Sequence, residues 1–237
     1  MDGRCEQEMP MTEQEWLDCT DPEPMLEFLR RGRATDRKLR FFGCACCRLR
    51  WNEYAEEGSK RAVEVSERFA DGAASLDELR TAHEATEPYQ TKAGYYFPPA
   101  SAASSEAPES AWQFELPCEE EPYTGPCQVV LVPPGWKARY LTTRSRLVRE
   151  IFGNPFRPVT IDPAVLTWHD GTIPRLAQAI YEERQLPAGT FDPARMNILA
   201  DALLDAGCDN EEMIQHCRSE ASHVRGCWVI DLLLGKS

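Results

Sequence analysis

The 237-residue sequence predicts a mainly α fold, an irregular helical bundle with a proline-rich, largely non-regular central insertion. Three observations carry that prediction. Apolar residues recur at i, i+3, i+4 and i+7 through both ends of the chain, the period of a helix with one buried face. Helix-start signals, Asp-Pro pairs and a Ser-x-x-Glu box, stand just ahead of those stretches. Prolines crowd the middle, from Pro88 to Pro134, where they forbid long helices.

The elements follow in order. Asp21-Pro22 supplies a cap and a first-turn proline for a helix that puts Met25, Phe28 and Leu29 on one face. Thr35 or Asp36 caps the next helix, predicted to run to about Tyr54. Leu39, Phe42, Cys46 and Leu49 make its stripe so wide that both sides should be covered. Ala62, Val65, Ser66 and Phe69 mark a third helix after Gly58-Ser59. Ser75-Leu76-Asp77-Glu78 is a capping box opening a fourth, with Leu76, Leu79 and His83 on one side. The excursion over 88–140 carries aromatics from Tyr95 to Trp136 and one candidate strand, Cys127 to Val132.

Helices resume near Thr143. Leu147, Val148 and Ile151 share a face, and Gly153 suits a C-terminal cap. Ile173, Leu176, Ala177 and Ile180 define the next helix. Asp192-Pro193 then opens one with Met196, Leu199, Ala200 and Leu203, closed by Gly207. A short helix runs from about Asp209 to Cys217. The last, from about His223 to Leu234, is apolar nearly all round and should be deeply buried. The expected organisation is a loose extension over 1–10, then one helical domain over 11–237. Its N-terminal helices (11–87) and C-terminal helices (141–237) pack together and the insertion decorates them.

Composition narrows the function. The net charge is -13, which repels phosphate backbones and argues against nucleic acid as a partner. Yet Arg30 to Arg50 holds eight basic residues against one acid, Asp36, and a second basic cluster spans Lys137 to Arg149. Either opposite-sign segments of the fold lie against one another, or the basic helix 30–50 is an anion-binding patch. No run of about 18 apolar residues exists to cross a membrane, and the polar, acidic N-terminus lacks the layout of a signal peptide. The expected location is therefore cytoplasmic. There, disulfides are disfavoured, and the ten cysteines read as buried thiols or metal ligands.

Several segments resemble a known group. Ile151-Phe-Gly-Asn-Pro-Phe-Arg-Pro158, Ile198 to Leu203, His216-Cys217-Arg218 and His223-Val-Arg-Gly-Cys-Trp-Val-Ile-Asp-Leu-Leu-Leu-Gly235 look like a large paralogous family of planctomycete bacterial proteins. So do Trp16-Leu17, Cys19-Thr20 and the helix around Cys44-Ala45-Cys46-Cys47. The resemblance implies a bacterial origin, a shared fold and use as a module in varied contexts; it implies no reaction.

The sharpest local signal is a cysteine–histidine constellation. Cys44 and Cys47 are three apart on one predicted helix, and His223 and Cys227 four apart on another. Each spacing puts a pair on one helical face. Two such pairs facing each other would make a closed Cys3His zinc site of structural type, with Cys208, His216 and Cys217 in reserve. The plainer alternative is that these thiols are small core residues. A Cys–His nucleophile pair could be built from His223 and Cys227, but nothing resembles a complete triad. Adjacent helical residues diverge by about 100°, so His216 should not activate Cys217. His83 reads as a core histidine and His169 as loop surface, while Asp162 and Asp192 read as helix caps. Asp231, inside the apolar last helix, must be paired, and Arg218 or Arg225 is the expected partner.

The reading these residues favour is a helical interaction or regulatory module with a protein partner, stabilised by a structural zinc. An enzyme using the Cys/His cluster and a nucleic-acid-linked regulator using the basic helix 30–50 are the alternatives.

Overall fold

The computed structural model describes residues 11–53, 56–86 and 135–236. Among them are ten α-helices and no strand beyond two isolated bridges, Gln185 with Thr190 and Thr190 with Val224. The predicted extension over 1–10, the strand at Cys127 to Val132 and nearly all of the central insertion lie outside the described residues. The fold class is mainly α, as predicted. Among the described residues no helix is long and apolar enough to cross a membrane.

Helix α1 spans Glu13–Asp18, α2 Pro22–Arg30, α3 Asp36–Leu49, α4 Glu57–Ala70 and α5 Leu76–Glu84. Their starts are built locally. The Asp21 carboxylate accepts from the Glu23 N–H with Pro22 at the first position, Thr35 caps α3, and Ser75 and Glu78 form the reciprocal box. Helix α3 is the axis of this half, with every residue from Leu39 to Arg48 buried. It ends at Leu49, and a single 3-10 turn, Trp51–Glu53, follows where the sequence predicted more helix. The buried face of α5 is Leu79 and Ala82; Leu76 is 39% exposed.

Helix α6 spans Trp136–Phe152, α7 Pro163–Glu182, α8 Pro193–Asp205, α9 Glu211–Cys217 and α10 Trp228–Leu234. Two boundaries correct the sequence reading. Helix α6 begins at Trp136, behind Gly135 in the left-handed region (φ 74°), so 136–140 belong to the helix rather than to the insertion. The last helix begins at Trp228, not His223, because Gly226 adopts φ 86° and breaks the chain direction. A kink at Trp168 to Gly171 interrupts α7 and leaves His169 exposed, as its loop reading required.

Two large apolar clusters form, beside a small one of Ala62, Val65, Leu79 and Ala82 between α4 and α5. One joins α1, α2, α3 and α6 through Trp16, Phe28, Phe42, Val148 and Ile151. The other joins α7 to α10 through Ile173, Phe191, Leu199, Met213 and Ile230. Polar ties cross between them. Arg37 on α3 grips Asp231 on α10 through two bonds of 2.6 and 3.0 Å, and also reaches Asp71 and the Tyr181 hydroxyl. Glu67 on α4 lies between Arg48 on α3 and Arg184 beyond α7. The buried Asp231 is thus paired, but by Arg37 rather than the expected Arg218 or Arg225. Arg218 bonds Asp201 at the surface, and the Arg225 guanidinium lies 3.8 Å from Asp71.

Candidate metal centre

Three elements build the site. Helix α6 carries Glu150 in its last turn, on the buried face with Leu147 and Ile151. Helix α9 carries His216. The segment from Arg218 to Cys227 then returns beside the 190–191 backbone, where Phe191 N–H donates to the His223 carbonyl at 2.8 Å. Cys227 caps α10. Gly226 makes this approach feasible, since a Cβ there would lie 3.0 Å from the Phe41 side chain on α3. Gly153, with φ 66°, similarly lets the Trp228 ring lie against the end of α6.

Ligand-type atoms of Glu150, His216, His223 and Cys227 all lie within 4.8 Å of one another. His216 Nε2 is 3.1 Å from a Glu150 oxygen and 3.3 Å from Cys227 Sγ. His223 Nδ1 is 3.1 Å from the same carboxylate, and the Val224 N–H donates to it at 3.2 Å. Glu150, His223 and Cys227 are buried, with His223 at 1% exposure. Burial alone would push the Glu150 carboxyl up. The two histidines beside it outweigh burial and hold the group below its ordinary range. The Cys227 thiol is pushed well up by burial and by the neighbouring Glu150 charge.

Proton bookkeeping fixes the tautomers. The Trp228 indole, a donor only, donates to His216 Nδ1 at 3.1 Å. Neutral His216 therefore carries its proton on Nε2 and gives it to Glu150. His223 gives its Nδ1 proton to Glu150, and its Nε2 lies 3.4 Å from the Ser219 hydroxyl. Two consequences follow. His216 has no lone pair facing Cys227, so it cannot take the thiol proton as a general base. And a metal ion could bind His216 Nε2 only if the Trp228 bond gave way, because the displaced proton would move to Nδ1.

The sequence-predicted ligands divide. His223 and Cys227 come together, joined by His216 from the reserve set. They do so across a turn, not along one helical face. Cys44 and Cys47 are not part of the group. Both are buried on α3 in the other apolar cluster, where Cys44 Sγ donates to the Val63 carbonyl at 3.8 Å. Burial and nearby Glu67 push the Cys44 thiol up to about 12. Of the remaining reserve residues, Cys217 is buried and Cys208 half-buried, and neither is in the group. The physical reason is the crossing of the chain. Cys44 and Cys47 face the cluster that α3 shares with α6, while the end of α6 offers its own carboxylate to the C-terminal turn. Glu150 is the residue that sequence reasoning missed. Its signal was a carboxylate three residues after Leu147 and next to Ile151, inside an apolar stripe.

Glu150 and His216 also line the wall of a cleft of ≈ 1010 Å³ between the end of α3, α6 and the Ser219 to Val224 segment. Comparison with protein-family models, curated proteins and solved structures returned no match for this chain.

Proposed function

We propose that the protein is a helical regulatory module closed by a zinc-class ion bound at Glu150, His216, His223 and Cys227. The convergence of these four side chains from three separate elements, within 4.8 Å, carries the reading. A tetrahedral zinc with bonds of about 2.0–2.3 Å needs ligand atoms about 3.3–3.8 Å apart. The 3.1–3.3 Å separations around His216 are close to that range. One thiolate, two imidazoles and one carboxylate suit zinc better than calcium or magnesium, which take all-oxygen shells. His223 is ready for the role, since its Nε2 can donate to Ser219 once Nδ1 holds the ion. His216 must release Trp228.

The ion would replace the protons that now tie the cluster and would fasten α6 to the C-terminal turn and α10. Proton-bonded and metal-bound forms of one cluster give the module two states. The test is elemental analysis of purified chain, with cobalt substitution to look for a thiolate-to-cobalt band. One equivalent of metal, lost in Cys227→Ser and His223→Ala, supports the reading. Substoichiometric metal, or full retention in both variants, overturns it.

An enzyme is the second reading, favoured by one observation: Glu150 and His216 reach the cleft. The catalyst would be the bound metal and not a Cys–His pair, given the His216 tautomer. Two of the eight cations behind the nucleic-acid reading, Arg37 and Arg48, are committed to Asp231 and Glu67.

A further inference from the structure

We propose that the cleft beside the cluster binds a small polyvalent oxyanion bearing phosphate or carboxylate groups. The inference rests on charge placement and stands whether or not the cluster holds a metal. The chain as a whole carries -13, so a basic concavity is not a by-product of composition. Arg48, Arg146 and Arg149 all line the cleft.

The charge on Arg149 is not cancelled in place. The Arg149 guanidinium donates to the carbonyls of Trp16 and Cys19, which fix its position without neutralising it. Arg48 spends its N–H groups on both Glu67 oxygens and the Pro187 carbonyl, so it stiffens the wall and leaves the ligand to Arg146 and Arg149. Arg146 is exposed, one helical turn before Arg149 on α6. Residues three apart on a helix are neighbours, so the two guanidinium groups can converge on one ligand. Hydroxyls of Thr143, Ser219 and Ser222 stand around them.

Opposing these are two lining acids, Glu150 and Glu220. The Glu150 carboxylate is taken up by the N–H groups of His216, His223 and Val224, whereas Glu220 is exposed at the rim. The balance is positive, and low-dielectric walls focus such a field. Guanidinium groups match phosphate and carboxylate bidentately, which selects an oxyanion over halide. At ≈ 1010 Å³ the cleft sits at the top of the roughly 300–1,000 Å³ range of small-molecule pockets, so the ligand is larger than inorganic phosphate.

The test is isothermal titration calorimetry on full chain stripped with chelator and dialysed, using inorganic pyrophosphate and, separately, tricarballylate at low salt. Saturable one-to-one binding in the sub-millimolar range is expected for at least one of them. Arg146→Glu should weaken it about tenfold or more, Arg146→Ala less, and Arg218→Ala, whose side chain pairs with Asp201 and is not part of the cleft lining, should leave it unchanged. Binding of pyrophosphate alone assigns a phosphorylated ligand; binding of tricarballylate alone assigns a carboxylate. No saturable heat with either anion at millimolar concentration overturns the proposal, as does equal binding by Arg146→Glu. Loss in Arg218→Ala as great as in Arg146→Glu would mean non-specific attraction and also overturns it. Arg146 is exposed, so circular dichroism of its variants should match the parent.

Discussion

Glu67→Gln should be the most damaging single-atom change outside the metal cluster. Glu67 is 3% exposed, and its two oxygens accept from Arg48 and from Arg184, whose side chains are 4% and 10% exposed. Glutamine keeps the shape and one acceptor oxygen but removes the charge and points an N–H2 at a guanidinium. Breaking a buried ion pair on one side costs about 3–5 kcal/mol, because the surviving charge stays desolvated. Two cations are stranded here, while Arg48 retains its bond to the Pro187 carbonyl at 2.6 Å. These opposing corrections leave roughly 4 kcal/mol. For a chain of this size that lowers Tm by about 8–16 °C, at roughly 2–4 °C per kcal/mol. Arg184→Met leaves one intact pair and should cost much less, about 1–2 kcal/mol. Burial raises the Glu67 carboxyl, but the two arginines more than reverse this and leave it below its ordinary value. Its stabilisation is therefore complete above the unfolded carboxylate pKa, about 4.3, and is lost as pH falls through the depressed folded value. The parent should lose stability more steeply than Glu67→Gln in that acid window. Urea unfolding followed by circular dichroism reads both effects. A cost under about 1 kcal/mol would sink the reasoning. So would two separate transitions of which one alone moves, because Glu67 ties α3 and α4 to the C-terminal half.

Asp231→Asn should cost about 2–4 kcal/mol, discounted because Arg37 keeps Asp71 at 3.2 Å; a variant as stable as the parent would show that the pair is not buried in solution. Gly226→Ala must place an alanine at φ 86° with its Cβ 3.0 Å from Phe41. It should lose about 2–3 kcal/mol and reduce metal affinity in parallel, and unchanged zinc titration would count against the turn as the site's support. Zinc at about a hundred times its Kd should stabilise the chain by roughly 2.7 kcal/mol, a shift in thermal melting that Cys227→Ser abolishes. Trp228→Phe should bind zinc about tenfold tighter than the parent, because His216 Nε2 is then free to lose its proton; weaker binding would exclude His216 Nε2 as a ligand.

What the sequence revealed and what it hid divide along the range of the interactions. Helix starts were legible because their causes lie within four residues. Thr35, Ser75, Asp162 and Asp192 each cap their own helix, and each was readable as a cap. Helix α6 began earlier than predicted because Lys137, Arg139, Thr142 and Thr143 dilute its first stripe, although Pro133-Pro134-Gly135 marked the boundary. The last helix was over-extended for the opposite reason. Val224, Cys227, Val229 and Ile230 are all buried, yet the first faces a bridge partner, Thr190, and only the last two sit in the helix. An apolar run reports burial and not conformation, so Gly226 was the better informant.

The basic stretch of α3 teaches the same lesson about charge. Eight cations between Arg30 and Arg50 suggested either a ligand surface or pairing with distant acids. Arg37 and Arg48 lie eleven apart, three helical turns, and so share one side of α3, where the fold sets Asp71, Asp231 and Glu67 against them. None of those three acids belongs to the acidic stretch at 106–121; each comes from a helix end or an apolar helix that sequence charge counting passes over. Glu150 escaped notice in the same way. A single carboxylate in an apolar stripe is costly unless several donors meet it, and its donors, His216, His223 and Val224, lie more than sixty residues downstream. Lone buried acids in this chain therefore mark where distant segments meet. Asp231 and Glu67 meet guanidinium groups, which hold their protons, and so build struts. Glu150 meets imidazoles and a thiol, whose protons a metal ion can displace, and that difference in partner chemistry singles it out as the centre of a site.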